Sequence, residues 1–132
     1  MPYKDSSGNL DKLFMYKDLR QRTFNFAVSI AKLILQLPNN PVNKAYFGQI
    51  IRSSSSIGAN YRAAQRAKSS RDFINKLKIV EEEADETLYF LELLIEVNES
   101  QCLFIEPLHQ EGTEILKIIV ASIKTTKSRM NK

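Results

Sequence analysis

The sequence predicts an all-α protein, an antiparallel up-down-up-down four-helix bundle that assembles as a homo-oligomer. Three observations carry this. Apolar residues recur at intervals of three and four over four long stretches. Only four glycines and four prolines punctuate 132 residues, so the connections are short. The first and last stretches are apolar over more of their circumference than a lone bundle needs, which asks for a neighbouring subunit.

The first helix is expected from Asp18, as N-cap, to Leu37, where Pro38-Asn39-Asn40-Pro41 stops it. Between Phe24 and Leu37 only Asn25, Ser29, Lys32 and Gln36 are not hydrophobic, and their 4, 3, 4 spacing confines them to one stripe. The second helix is expected over Val42–Lys68. It contains "SSSSIG", a run that looks like a loop but does not break helical phase: Ile50, Ser54, Ile57, Tyr61 and Ala64 keep a 4, 3, 4, 3 spacing. Ser54, Ile57, Gly58 and Tyr61 are therefore assigned to helix packing. Small side chains there admit a neighbouring helix, offsetting a propensity cost of about 0.5 kcal/mol for serine and about 1 for glycine.

The third helix starts at Ser69-x-x-Asp72, which has the spacing of a capping box. Phe73, Leu77, Val80, Ala84, Leu88, Leu91 and Ile95 then form a core stripe ending near Asn98. The fourth is expected from near Glu106, with Pro107 in its first turn. Its apolar set is Leu108, Ile115, Leu116, Ile118, Ile119, Val120 and Ile123. The domain thus spans residues 18–128, with a poorly ordered segment over 1–17 and a frayed end over 129–132. The excess apolar surface assigns Phe24, Phe26, Val28 and Ile30 of the first helix, and Ile118 and Val120 of the fourth, to an oligomer interface.

Charge is unevenly distributed. From Val42 to Lys78 eight basic residues face Asp72 alone, whereas Glu81–Glu99 carries eight carboxylates and no Lys or Arg. Arg62, Arg66, Lys68, Arg71, Lys76 and Lys78 surround the turn between the second and third helices and form the candidate nucleic-acid-binding cluster. Glu92 and Glu96 lie toward the C-terminal end of their helix, where the macrodipole disfavours carboxylates. They are assigned to the oligomer interface, opposite a cation of a neighbour.

The sequence offers little catalytic chemistry. A di-metal carboxylate centre in a bundle needs two Glu-x-x-His pairs, and His109, after Glu106, is the only histidine. It reads as an exposed residue of the fourth helix's first turn. Cys102 is the only cysteine, which excludes an intrachain disulfide. There is no glycine-rich phosphate loop. No catalytic residue, metal site or cofactor is expected. No apolar core of a signal peptide and no membrane-spanning run is present, so a soluble cytoplasmic protein without membrane association is expected.

The run "SSSSIGANYRAAQRAKSSRDFINKLKIVEEEADETLYFLELL", Ser53–Leu94, resembles the signature of the four-helix-bundle proteins of the 23S rRNA intervening-sequence family. "EILKIIVASIKTTK", Glu114–Lys127, is similar to their last helix. Ile57-Gly58-Ala59-Asn60 and Ala84-Asp85-Glu86-Thr87 are the most specific pieces. The family's members are often encoded within insertions in bacterial rRNA genes and also stand alone. A related branch comprises accessory proteins of diversity-generating retroelements, which bind nucleic acid and a reverse transcriptase. The resemblance implies four-helix protomers in a barrel-like homopentamer, and RNA or another nucleic acid, with a reverse transcriptase as a protein-partner candidate. Ala63 and Ala64 depart from it, since many members carry an acidic residue near the end of the second helix. The function expected is that of a non-catalytic, oligomeric, nucleic-acid-binding accessory protein, RNA before DNA. The alternative is a structural adaptor whose charges serve subunit assembly and a protein partner.

Overall fold

The structure, a computed structural model, describes the backbone of residues 9–131 and the side chains of residues 19–131. It contains α1 (Asn9–Gln36), α2 (Pro41–Gln65), α3 (Ser70–Val97), a single 3-10 turn (Glu99–Gln101) and α4 (Cys102–Met130). Among the described residues there is no strand. Each helix packs on its neighbours in the chain and α1 packs on α4, while the diagonal pairs stay apart; α2 with α3 and α3 with α4 make the most extensive contacts.

The boundaries differ from the sequence reading for local reasons. Helix α1 begins at Asn9, so Asp18 is inside it and is not a cap. Of the expected disordered segment over 1–17, residues 1–8 lie outside the described residues and 9–17 are helical. Helix α2 begins one residue earlier than expected because Asn40 caps it: its Oδ1 accepts the Asn43 N–H at 2.8 Å, and Pro41 occupies the first helical position, where no N–H is needed. The same helix ends at Gln65, not Lys68, where the Arg66 N–H turns back to the Ala63 carbonyl. Helix α4 starts at Cys102 and carries Pro107 in its interior rather than its first turn. Pro107 has no N–H to offer the carbonyl four residues back, so Leu103 gives up that bond. At the other end α4 continues to Met130, into the segment expected to fray, and residue 132 lies outside the described residues.

The core follows helical periodicity. Leu19, Thr23, Phe26, Ile30 and Leu33 line the buried side of α1, with Leu37 buried just past its end, and Leu77, Val80, Ala84, Leu91 and Leu94 line that of α3. Phe26 and Ile30 are 2% and 0% exposed, so they fill the protomer's own core and cannot face a neighbour. Phe24 and Val28, the other two α1 residues assigned to an interface, are exposed, as is Leu35; the three lie on one face of α1. Ile118 and Val120 are half-buried, Ile118 against the core.

Helix α2 achieves close approach with small residues. Ser53 and Ser54 are both fully buried, and the Ser53 and Thr87 hydroxyls meet at 2.8 Å between α2 and α3. Ser54, Ile57, Gly58 and Tyr61 are all buried. A Cβ at Gly58 would stand 3.2 Å from Thr23 Oγ1, so this glycine faces α1. Gly112 does the same in α4, where a Cβ would meet Leu88 Cδ2 at 2.9 Å and Phe26 Cζ at 3.1 Å.

One end of the molecule is closed by a polar clasp. Asn43 Nδ2 donates to Asn98 Oδ1 and to the Pro38 carbonyl, and Asn98 Nδ2 donates to Asn43 Oδ1 and to the Leu94 carbonyl, each at 2.9 Å. Both amides are buried with every donor satisfied. Arg22 ties α1 to α4 through a bidentate pair with Glu111, at 3.0 and 2.7 Å.

Replacing Gly58 with leucine is expected to lower stability by about 1–3 kcal/mol through overpacking against Thr23, read as a fall in melting temperature. Asn98→Ala leaves the Asn43 amide buried without its partner and is expected to cost about 1–3 kcal/mol in denaturant unfolding.

Candidate nucleic-acid interface

The turn between α2 and α3 is four residues, Arg66 to Ser69. Its shape is set by short-range hydrogen bonds. The Ala67 N–H reaches the Ala64 carbonyl at 3.0 Å, which closes α2. Ser69, in an extended conformation, caps α3 by accepting the Asp72 N–H at 3.0 Å. Asp72 does not return to the Ser69 N–H as a strict capping box would; its Oδ2 accepts from the Lys68 N–H at 3.1 Å. Its other oxygen binds Lys76 Nζ at 2.7 Å. The only carboxylate of this segment is therefore committed to holding the turn.

The six residues of the expected cluster divide accordingly. Lys76 is half-buried and neutralised by Asp72. Arg62 places its guanidinium 5.8 Å from the centre of the Phe24 ring on α1. The side chains of Arg66, Lys68, Arg71 and Lys78 are exposed; Lys68 acts on Asp72 electrostatically, and the other three have no charged or hydrogen-bonding partner among the described residues. Arg71 and Lys78, seven residues apart, share one outward stripe of α3, about 10 Å along its axis.

Helix electrostatics separates these cations. Arg62 lies in the last turn of α2, and Lys127 and Arg129 in the last turn of α4, where a cation complements the macrodipole by about 0.3–1 kcal/mol. Arg71 is in the first turn of α3, where the same dipole disfavours it, and Lys68 is in the turn itself. The Lys68 charge favours the Asp72 carboxylate that holds the turn, whereas the Arg71 placement is not explained by the stability of the protomer.

Tertiary packing adds cations that a linear reading of the chain missed. Arg20 Nη1 donates to Gln65 Oε1 at 3.0 Å, bringing α1 to the end of α2. Arg129 lines a cavity of about 430 Å³ with Tyr61, Gln65, Ser70, Phe73 and Thr126. A shallower depression of about 290 Å³ shares Gln65, Ser70 and Phe73 and reaches Lys68. Both arginines reach this pole through contacts between helices, Arg20 with the end of α2 and Arg129 with residues of α2 and α3, which no local pattern in the chain signals. Tyr61 is buried, so it offers no ring to a base, while Tyr89 is exposed and packs edge-on against Phe90.

The acidic residues occupy other surfaces. Arg52 binds Glu83 through both carboxylate oxygens, at 2.9 and 3.2 Å, and also binds Glu86; these bonds, Glu83 first, push its pKa up. Glu92, expected to face a neighbour's cation, lies 2.9 Å from His109 Nε2 of the same chain. His109 is correspondingly half-buried, in the second turn of α4 or beyond, rather than exposed in the first. Glu96 is exposed. Among the described residues no three His, Cys, Asp or Glu side chains converge as a metal site, and no helix is long and apolar enough to cross a membrane.

The model of a family described as 23S rRNA-intervening sequence protein matches residues 17–121. Among solved structures, the chain is similar to a crystal structure of a protein of unknown function from the S23 ribosomal protein family of Bacteroides thetaiotaomicron VPI-5482. The two are 42% identical, the match covers 80% of this chain and 98% of that one, and the TM-score is 0.74. A comparison with curated proteins finds no match.

Asp72 provides a pH test of the turn. The hydrogen bond from Lys76, then that from the Lys68 N–H, holds its carboxyl below the usual aspartate range. A depressed folded-state pKa stabilises the fold above the unfolded value, and that contribution is lost as pH falls below about 4. The Lys68 amide ¹⁵N shift is expected to titrate in that acid range, and Asp72→Asn to abolish the titration.

Proposed function

Because the chain belongs to the 23S rRNA-intervening sequence protein family, we propose that it is a non-catalytic, cytoplasmic accessory protein. In this reading it binds RNA through the pole formed by the α2–α3 turn. The observation that carries the reading is the set of exposed cations without partners, Arg66, Arg71 and Lys78, with Arg71 placed where helix electrostatics disfavours it and the exposed Lys68 beside them. Phosphates supply the missing partners. Arg62, Arg20 and Arg129 flank them at the same pole. No base-reading motif accompanies the cluster, so recognition rests on the backbone of the nucleic acid and is weakly sequence-specific.

The reading includes assembly. The four helices act as an up-down-up-down protomer of a homo-oligomer, a pentamer as the family resemblance implies. The exposed Phe24, Val28 and Leu35 of α1 support burial against a second copy. Repetition of the basic pole around such an assembly converts weak phosphate contacts into avidity.

A second reading, subunit pairing between this pole and acidic residues of a neighbour, is favoured by Glu96 and Glu99, which are exposed without a cation among the described residues. One experiment separates the two. Arg62→Glu with Arg66→Glu is expected to abolish retention of labelled RNA while light scattering shows an unchanged oligomer. Loss of the oligomer in the double variant, restored by Glu96→Lys, marks the pairing reading instead. Wild-type affinity is expected to fall steeply with salt, each neutralised phosphate adding about 0.7 to the slope of log affinity on log salt for a single strand.

A further inference from the structure

The face of the molecule formed by the last turns of α3 and the first turns of α4 has a chemistry opposite to the basic pole. Between Ile79 and Leu116 the chain carries eleven carboxylates and neither Lys nor Arg. Arg52 takes up Glu83 and Glu86, Arg22 takes up Glu111, and His109 approaches Glu92. Glu96, Glu99 and Glu106 are exposed and have no cation among the described residues. Glu92 and Glu106 line a groove of about 480 Å³ whose apolar lining is Ile95, Leu103 and Pro107. Leu103 is 79% exposed and the adjacent Phe104 64%, far more than a packed helix leaves to water at two successive large side chains. A second depression, of about 520 Å³, continues along α4 from Pro107 through His109 and Gln110 to Lys117. From Leu103 to Lys117 the two span about 21 Å of helix, the length of about 14 residues.

We propose that this acid-rimmed apolar groove is a docking site for a basic amphipathic helix of a partner protein. Apolar side chains of such a helix, spaced by three and four, fill the groove over Ile95, Leu103 and Pro107, and its lysines or arginines pair with Glu92, Glu96 and Glu106. Nucleic acid is disfavoured because its phosphates would meet carboxylates. The α1 stripe of a second copy fits poorly: Phe24, Val28 and Leu35 bring only Lys32 in the same stretch against at least three carboxylates. The site is independent of the RNA reading, and gives the molecule one pole for a polyanion and one face for a cationic protein segment.

The test uses the full chain and a fluorescein-labelled 14-residue peptide with leucines at i, i+3, i+4 and i+7 and lysines among the remaining positions. The control has the same composition with the leucines distributed around the helix. The amphipathic peptide is expected to bind at least about tenfold more tightly than the control and to weaken with salt. Leu103→Ser with Phe104→Ser, and separately Glu96→Lys with Glu106→Lys, are each expected to lose at least about tenfold in peptide affinity. RNA retention and oligomer mass stay unchanged in both. Conversely, Arg62→Glu with Arg66→Glu loses RNA and keeps the peptide, so failure of either site is seen separately. Equal binding of the two peptides, or undiminished binding by both double variants, overturns the proposal. So does a fall in oligomer mass on changing Leu103 and Phe104, which would make the face a contact between copies, or a loss of RNA retention, which would make it part of the nucleic-acid surface.

Discussion

The structure depends on how closely α2 can be approached from two sides. Gly58 presents no side chain to Thr23 of α1, and Ser53 meets Thr87 of α3 hydroxyl to hydroxyl. These contacts set the register of three helices at once. With Ser53 beside Thr87, Arg52 falls opposite Glu83 and Glu86, and the start of α2 reaches the end of α3, where Asn43 and Asn98 exchange amide bonds. With Gly58 beside Thr23, Arg62 reaches Phe24 and Gln65 reaches Arg20. Larger residues at these points would hold the helices apart, and a buried serine is tolerable because its hydroxyl donates to a carbonyl of the preceding turn and accepts from Thr87 across the contact.

That register also determines the distribution of charge. The basic stretch runs through a turn, so α2 and α3 fold it back upon itself and bring like charges to one pole. Opposite charges would have relieved one another there; only Asp72 is available, and it is occupied by the turn and Lys76. The acidic stretch lies farther along α3, beside the first half of α2 and of α4. Arg52 and Arg22 neutralise part of it, His109 stands beside Glu92, and the carboxylates near the start of α4 are left to water. The molecule is thus polarised, and each pole suits a ligand of the opposite sign.

The helices and most of their buried faces were legible in the sequence, because an amphipathic helix writes its period into the chain. The serine run was legible as helix for the same reason, since Ile50, Ile57 and Tyr61 keep the phase through it. Helix ends were less so. Asn40 caps α2 although it lies in a segment that reads as a stop, and Pro107 sits inside α4 although it reads as a beginning. A proline in an interior position costs a hydrogen bond that packing elsewhere along a 29-residue helix can offset. Gly112 gave no signal at all: a single glycine has no period, and its use became evident only when Phe26 and Leu88 stood over it.

By itself the sequence determined four helices, a core stripe on each, a capped start for α3 and a cluster of cations around one short turn. All of these depend on residues near one another in the chain. What needed tertiary structure was which apolar residues the protomer consumes and which charges remain unpaired. Phe26 and Ile30 look as available as Phe24 and Val28 on an apolar helix, and only the positions of the other three helices turn the first pair inward. Glu92 reads as unpartnered until α4 brings His109 to it, and Arg20 and Arg129 join the basic pole only through contacts between helices. Pairing across helices is a long-range property, set by register and not by local spacing, so the free cations and carboxylates that define both candidate surfaces became visible only in the folded chain.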